Sequence, residues 1–153
     1  MSAMDACETG LLSLIFTNAS GPANIGDATG LRGSTTAGNF FISLHTANPG
    51  TTEATGTQLT SEAAYGGPYA RQSTARATGA GGWLVTGATA DNVTAISFPA
   101  CTSLTETETH FGVGSASSGA GVLHFWGALT APLAVSTGIT PSFAVGALDV
   151  TLD

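Results

Sequence analysis

Three histidines, two glutamates spaced by one residue, and one arginine with a nearby glutamate are the side chains in this sequence whose types could do chemistry. His45, His110 and His124 could ligate a metal through their imidazole nitrogens. None of them lies in an H-x-x-x-H, H-E-x-x-H or C-x-x-C spacing, so all three read as hydrogen-bonded histidines of a sheet. Glu106 and Glu108 alternate along an extended segment, which puts both carboxyls on one strand face about 7 Å apart. That separation is compatible with an acid/base pair of a glycosidase, but an ordinary solvated strand face looks the same, and this is the reading adopted. Arg71 needs a carboxylate partner in a chain this poor in charge. Glu62, in the loop before it, is the expected one, forming a structural clamp and not a binding site.

The other motifs that would signal chemistry are missing. The sequence has no G-x-S-x-G elbow, and the glycine-rich stretches Gly112-Val113-Gly114 and Gly119-Ala120-Gly121 lack the lysine and helix of a phosphate loop. Asp91-Asn92 alone cannot hold calcium. No enzyme activity, cofactor or metal is expected.

The elements that would position these residues are mostly short strands. Asn39 to His45 alternates Phe40, Ile42 and Leu44 against Phe41, Ser43 and His45, and it stops at Asn48-Pro49-Gly50, where proline fixes its φ and Gly50 is free to take φ > 0. Gly50 to Pro68 reads as a loop holding Glu53, Glu62 and Tyr65. Strands are expected over Tyr69–Ala77, Trp83–Thr86, Asn92–Phe98, Glu106–Val113, Gly121–Gly127, Ala128–Val135, Gly138–Val145 and Ala147–Leu152. In the Glu106–Val113 strand the Glu106, Glu108 and His110 side is expected to be wet. Pro132 and Pro141 mark edges or bulges. At the other end, Ser2 and Asp5 resemble a capping box, and Met4, Cys7, Leu11, Leu14 and Ile15 recur at helical spacing. That helix either caps an open end of the domain or docks on a neighbouring subunit.

The expected fold is therefore all-β: a sandwich or jelly roll of about eight or nine short antiparallel strands with a short N-terminal helix. It forms a single domain over 1–153, with a helix or arm at 1–17, a long loop at 18–38 and the β-sandwich at 39–153. At 153 residues the chain is long enough to bury a sizeable core.

Charge narrows the function further. Only 8% of residues are charged, lysine is absent, and the formal net charge is −7. Nucleic-acid binding needs clustered cations, which three scattered arginines cannot supply, and attraction to anionic membranes is unsupported for the same reason. A skin this poor in charge suits a protein packed against copies of itself or against a scaffold. No basic region precedes the Leu11–Phe16 run, so no signal peptide is expected. Cys7 and Cys101 read as two small buried hydrophobes, with their pairing left open.

In order along the chain stand SLHTANPG (Ser43–Gly50), SEAAYGGPYARQ (Ser61–Gln72), GWLVTG (Gly82–Gly87), ISFPACT (Ile96–Thr102), THFGVGSASSGAG (Thr109–Gly121) and APLAVSTGITPSFAVGAL (Ala131–Leu148). Together they resemble a family of small virion structural proteins of tailed bacteriophages, often labelled tail-fibre-like. The resemblance runs from about Asn39 to the C-terminus, and His124 to Trp126 departs from its usual wording. It implies a non-enzymatic part of a phage particle made in the host bacterial cytoplasm. The first expectation is a capsid decoration (cement) protein on the head surface. It would be a homo-oligomer, trimer or dimer, held against the major capsid protein or other virion subunits. The alternative is a tail-fibre or baseplate component for host attachment. In that case Tyr65, Tyr69 and Trp126, with Trp83, would form the contact surface.

Overall fold

A computed structural model describes residues 3–26, 30–50 and 56–152. Along the chain run α1 (Asp5–Thr17), β1 (Asn39–His45), β2 (Gln72–Ala75), β3 (Trp83–Thr86), β4 (Thr89–Asn92), β5 (Ile96–Ser97), β6 (Glu106–Gly114), β7 (Leu123–Val135), β8 (Ser142–Phe143) and β9 (Asp149–Thr151). The class is the one expected: all-β and sandwich-like, with a single short N-terminal helix among the described residues. The strands form sheets of order β2-β1-β6-β7, β3-β4-β9 and β5-β8, and among the described residues none closes into a barrel. Two compact units are present, one over Met1–Asn39, Thr74–Ile96 and Phe143–Asp153, the other over Phe40–Ser73 and Ser97–Ser142.

In the first unit α1 packs on β3 and β4. Its buried face is Glu8, Leu12 and Phe16, not the expected stripe, and Met4 is exposed. The run Leu11-Leu12-Ser13-Leu14-Ile15-Phe16 offers apolar residues on almost every side, so periodicity alone could not select the face. Contact selects it: Phe16 meets the fully buried Trp83 edge-on at 4.6 Å between centroids. Ser2 lies outside the described residues. The N-cap is Met4, which makes no side-chain hydrogen bond, so Asp5 and Glu8 in the first turn are left to complement the helix dipole.

At the C-terminus of α1, Asn18 takes the left-handed conformation (φ 56°). Its amide donates to Ser34 O and accepts from Ser34 N–H, both at 2.8 Å, which pins the long loop that follows. The last turn of α1 has no basic residue. Arg76, sixty residues on in sequence, supplies the cation by donating to Ile15 O at 2.7 Å and Leu14 O at 2.9 Å.

β3 and β4 form a hairpin with Thr86 opposite Thr89. Gly87 alone of its two loop residues has positive φ (59°), the pattern of a type II′ turn. The expected strand from Asn92 to Phe98 is broken instead. β4 ends at Asn92, whose buried amide donates to Thr94 O and Ala144 O at 2.8 and 2.9 Å and accepts from Leu148 N–H at 2.9 Å. A side chain that competes for backbone groups in this way ends a ladder.

In the second unit β1 pairs with β6 and β6 with β7, all antiparallel. β1 begins and ends as expected, but both of its faces are buried from Ile42 onward. β2 is shorter than the expected Tyr69–Ala77. The two strands expected over Gly121–Gly127 and Ala128–Val135 are one, β7, at the sheet edge, where Pro132 withholds no ladder donor. The β6–β7 register breaks twice. Opposite Thr109, the four residues Leu129 to Pro132 bulge out, and between Val113 and Gly114 His124 is the extra residue.

Candidate contact site

The buried side of β1 and β6 holds an arrangement that looks catalytic. Ser43 Oγ lies 2.8 Å from His45 Nε2, and His45 Nδ1 lies 2.9 Å from Thr60 O. The carbonyl must accept, so Nδ1 carries the proton and Nε2 accepts from the serine hydroxyl. A nucleophile, a base and an orienting group are thus in reach of one another. Both side chains are wholly buried, however, and Gly112 is packed so closely that a Cβ there would meet Ser43, His45 and Leu123. Burial also lowers the His45 pKa, keeping the ring neutral. Buried and packed in this way, the trio is a satisfied polar contact within the sheet.

Glu106 and Glu108 correct the expectation of a wet strand face. Glu106 Oε1 accepts from Ala64 N–H at 3.0 Å and Tyr65 N–H at 2.7 Å, holding that loop. Glu108 is fully buried, and among the described residues no N–H or O–H reaches either of its oxygens. Burial first, and then the neighbouring Glu106 carboxylate, raise its pKa to about 8. The outward residue at this end of β6 is Thr107. Glu108 therefore faces protein, and Glu106 is half-buried and engaged with the Ala64–Tyr65 backbone.

Glu62 and Arg71 are brought together. Arg71 Nε donates to Glu62 Oε1 at 2.6 Å and Nη2 to Oε2 at 2.7 Å, a bidentate pair. The remaining guanidinium donors reach Ala116 O at 2.8 Å and Gly119 O at 2.7 Å, so the ion pair fastens the β6–β7 loop as well. Gln58, fully buried, does similar work. Its amide donates to Phe41 O at 3.1 Å and accepts from Ala116 N–H at 2.9 Å. Nothing in the sequence separates Gln58 from a surface glutamine; in the fold it packs against two glycines, Gly114 and Gly121, where a Cβ would strike it.

Of the aromatic residues named for a contact surface, Tyr65 and Trp83 are fully buried and cannot belong to one. Tyr65 meets Tyr69 edge-on at 5.2 Å, and Tyr69 stacks on Phe98 while its hydroxyl accepts from Leu44 N–H at 2.9 Å. Tyr65 is core and Tyr69 half-buried, and burial raises both phenol pKa values. Trp126 is different: it is 39% exposed. It lines a cavity of about 250 Å³ with Leu123, His124, Gly50 and Gly56.

The local sequence explains this cavity. The bulge at His124 lets the adjacent residues Leu123 and His124 both reach it, which strict strand alternation forbids. Gly50 does not have positive φ. It is glycine because the Trp126 indole lies where its Cβ would be. Asn48 Oδ1 accepts from Gly50 N–H at 2.7 Å and shapes this turn. Glu53 lies outside the described residues.

Neither cysteine is in a disulfide; Cys101 is buried and Cys7 partly so. Among the described residues no cluster of His, Cys, Asp and Glu could hold a metal, and no helix is long and apolar enough to cross a membrane.

Among the described residues, the second unit thus combines a buried ion pair with an aromatic cavity on an edge strand. The model of a family described as podophage GP4 fiber I protein gp80 matches residues 16–151, and the chain belongs to that family of phage virion structural proteins. The match begins at Phe16, so it takes in the loop before Asn39, where the resemblance in wording is weaker. A search of curated proteins finds no match.

Proposed function

We propose that this chain is a non-enzymatic component of a phage tail fibre that takes part in host attachment, assembled with other virion subunits. The observation that carries the reading is the family match over residues 16–151, whose description is that of a fibre protein. The low charge and small size that suggested a head decoration protein suit a fibre subunit equally well, so that expectation now ranks second. Burial of Ser43, His45 and Glu108 is consistent with a body that carries out no reaction. Particles assembled without the protein are expected to withstand heat and osmotic shock as intact particles do, yet fail to adsorb to cells. Normal adsorption with heads that rupture on shock would reverse the order of the two readings.

A further inference from the structure

We propose that the cavity formed by Gly50, Gly56, Leu123, His124 and Trp126 is a subsite for one neutral sugar ring of a host-surface glycan, an inference that rests on the fibre reading above. Three observations converge there. The first is an indole that is 39% exposed in a chain whose other tryptophan is fully buried. The apolar face of a sugar packs on such a ring, and the indole N–H supplies a polar handle at its edge.

The second is polarity without charge. Among the described residues no Asp, Glu, Lys or Arg lines the cavity. Neither the Trp126 N–H nor either His124 ring nitrogen makes a hydrogen bond among the described residues. Donors and acceptors next to an aromatic wall are what fix the orientation of a hydroxylated ring. Among the described residues no Lys or Arg lines it to receive an anionic sugar. Arg71 is held by Glu62, Arg76 binds the carbonyls at the end of α1, and the net charge of −7 opposes an anion.

The third is construction. Gly50 and Gly56 are packed so that a Cβ on the first would run into Trp126 and one on the second into the Pro49 backbone. The His124 ring is set edge-on to buried Phe40 at 6.0 Å, and Trp126 is flanked by His110 at 5.9 Å. A bulge that turns a side chain outward beside such packing is typical of a functional position. At about 250 Å³ the space is below the roughly 300 Å³ at which small-molecule pockets usually begin, so it takes a single terminal or branching unit.

The test is titration of the full chain with glucose, galactose and N-acetylglucosamine, read by tryptophan emission and by the NMR signal of the Trp126 indole N–H. At least one sugar is expected to shift both signals with a Kd of the order of mM. Trp126→Ala is expected to abolish binding while leaving the melting temperature close to that of the parent. Gly50→Ala provides a second variant that disturbs the indole without removing it. No response up to about 100 mM of any of the three sugars, where mM binding would saturate, overturns the proposal. Binding that survives Trp126→Ala, or a response only to acidic sugars, overturns it as well. If gold-labelled antibody marks the tail but no sugar binds, the subsite fails and the fibre reading stands; label on the head alone removes the fibre reading itself.

Discussion

Replacing Arg71 with methionine is expected to destabilise the protein by about 3–5 kcal/mol, the usual effect of leaving a buried charge without its partner. The side chain is 2% exposed and makes four hydrogen bonds, two to Glu62 and one each to Ala116 O and Gly119 O. Its removal takes two hydrogen bonds from the Glu62 carboxylate and one each from the Ala116 and Gly119 carbonyls. The loss in melting temperature is expected to be of the order of 10 °C for a chain of this size. Arg71→Lys keeps the charge but not the planar fork, so it should recover only part of the loss. The double replacement Arg71→Met with Glu62→Leu should recover most of it, because two packed apolar side chains need no partner. Thermal denaturation of the four proteins checks this. A change below about 1 kcal/mol in Arg71→Met would mean the pair behaves as an exposed one.

The second large effect concerns Glu108 and pH. Its carboxyl is buried, among the described residues no N–H reaches it, and its pKa is raised from the usual 4.5 to about 8. The folded protein therefore holds a proton there that the unfolded chain releases above pH 4.5. Where the native state binds more protons, stability falls as pH rises. The contribution of this group is fully present below about pH 4.5, declines from there to about 8, and is flat beyond. Across that window the loss is of the order of 3–5 kcal/mol. Glu108→Gln keeps the shape without the ionisation and should remove this decline, gaining on the parent at pH 9. His45 acts at the other end. Its pKa is lowered from 6.5, so its contribution is lost as pH falls below 6.5. Comparing parent and Glu108→Gln at each pH isolates the glutamate, and parallel stability profiles from pH 5 to 9 would refute the assignment.

These two groups show how unevenly the structure could be read from the sequence. The strand at Asn39–His45 and the start of β6 follow from alternation, which is local. The side of β6 that turns inward does not, because it depends on what lies across from it. Glu108 points into protein, and the bulge opposite Thr109 interrupts the alternation on which the expected wet face rested. Pairing of Arg71 with Glu62 could be anticipated because charge is scarce here. The bonds to Ala116 O and Gly119 O could not, since they join segments more than forty residues apart.

The cavity was half legible. Trp126 and the Asn48-Pro49-Gly50 turn both stand out in the sequence, the first as an aromatic and the second as a stop. That the indole rests on Gly50, and that Gly50 serves close packing instead of positive φ, is a tertiary fact with no local signature. Tyr65 and Trp83 carry the same composition signal as Trp126 yet are core, because an aromatic ring suits a hydrophobic interior as well as a surface. In α1 a run apolar on nearly all sides hid the buried face, which Trp83 selects from a distant strand.

The most direct test of the account is to image intact particles labelled with gold-tagged antibody against this protein. The label is expected on the tail fibres, in few copies per particle. Label spread over the head in many copies, with bare fibres, would contradict it.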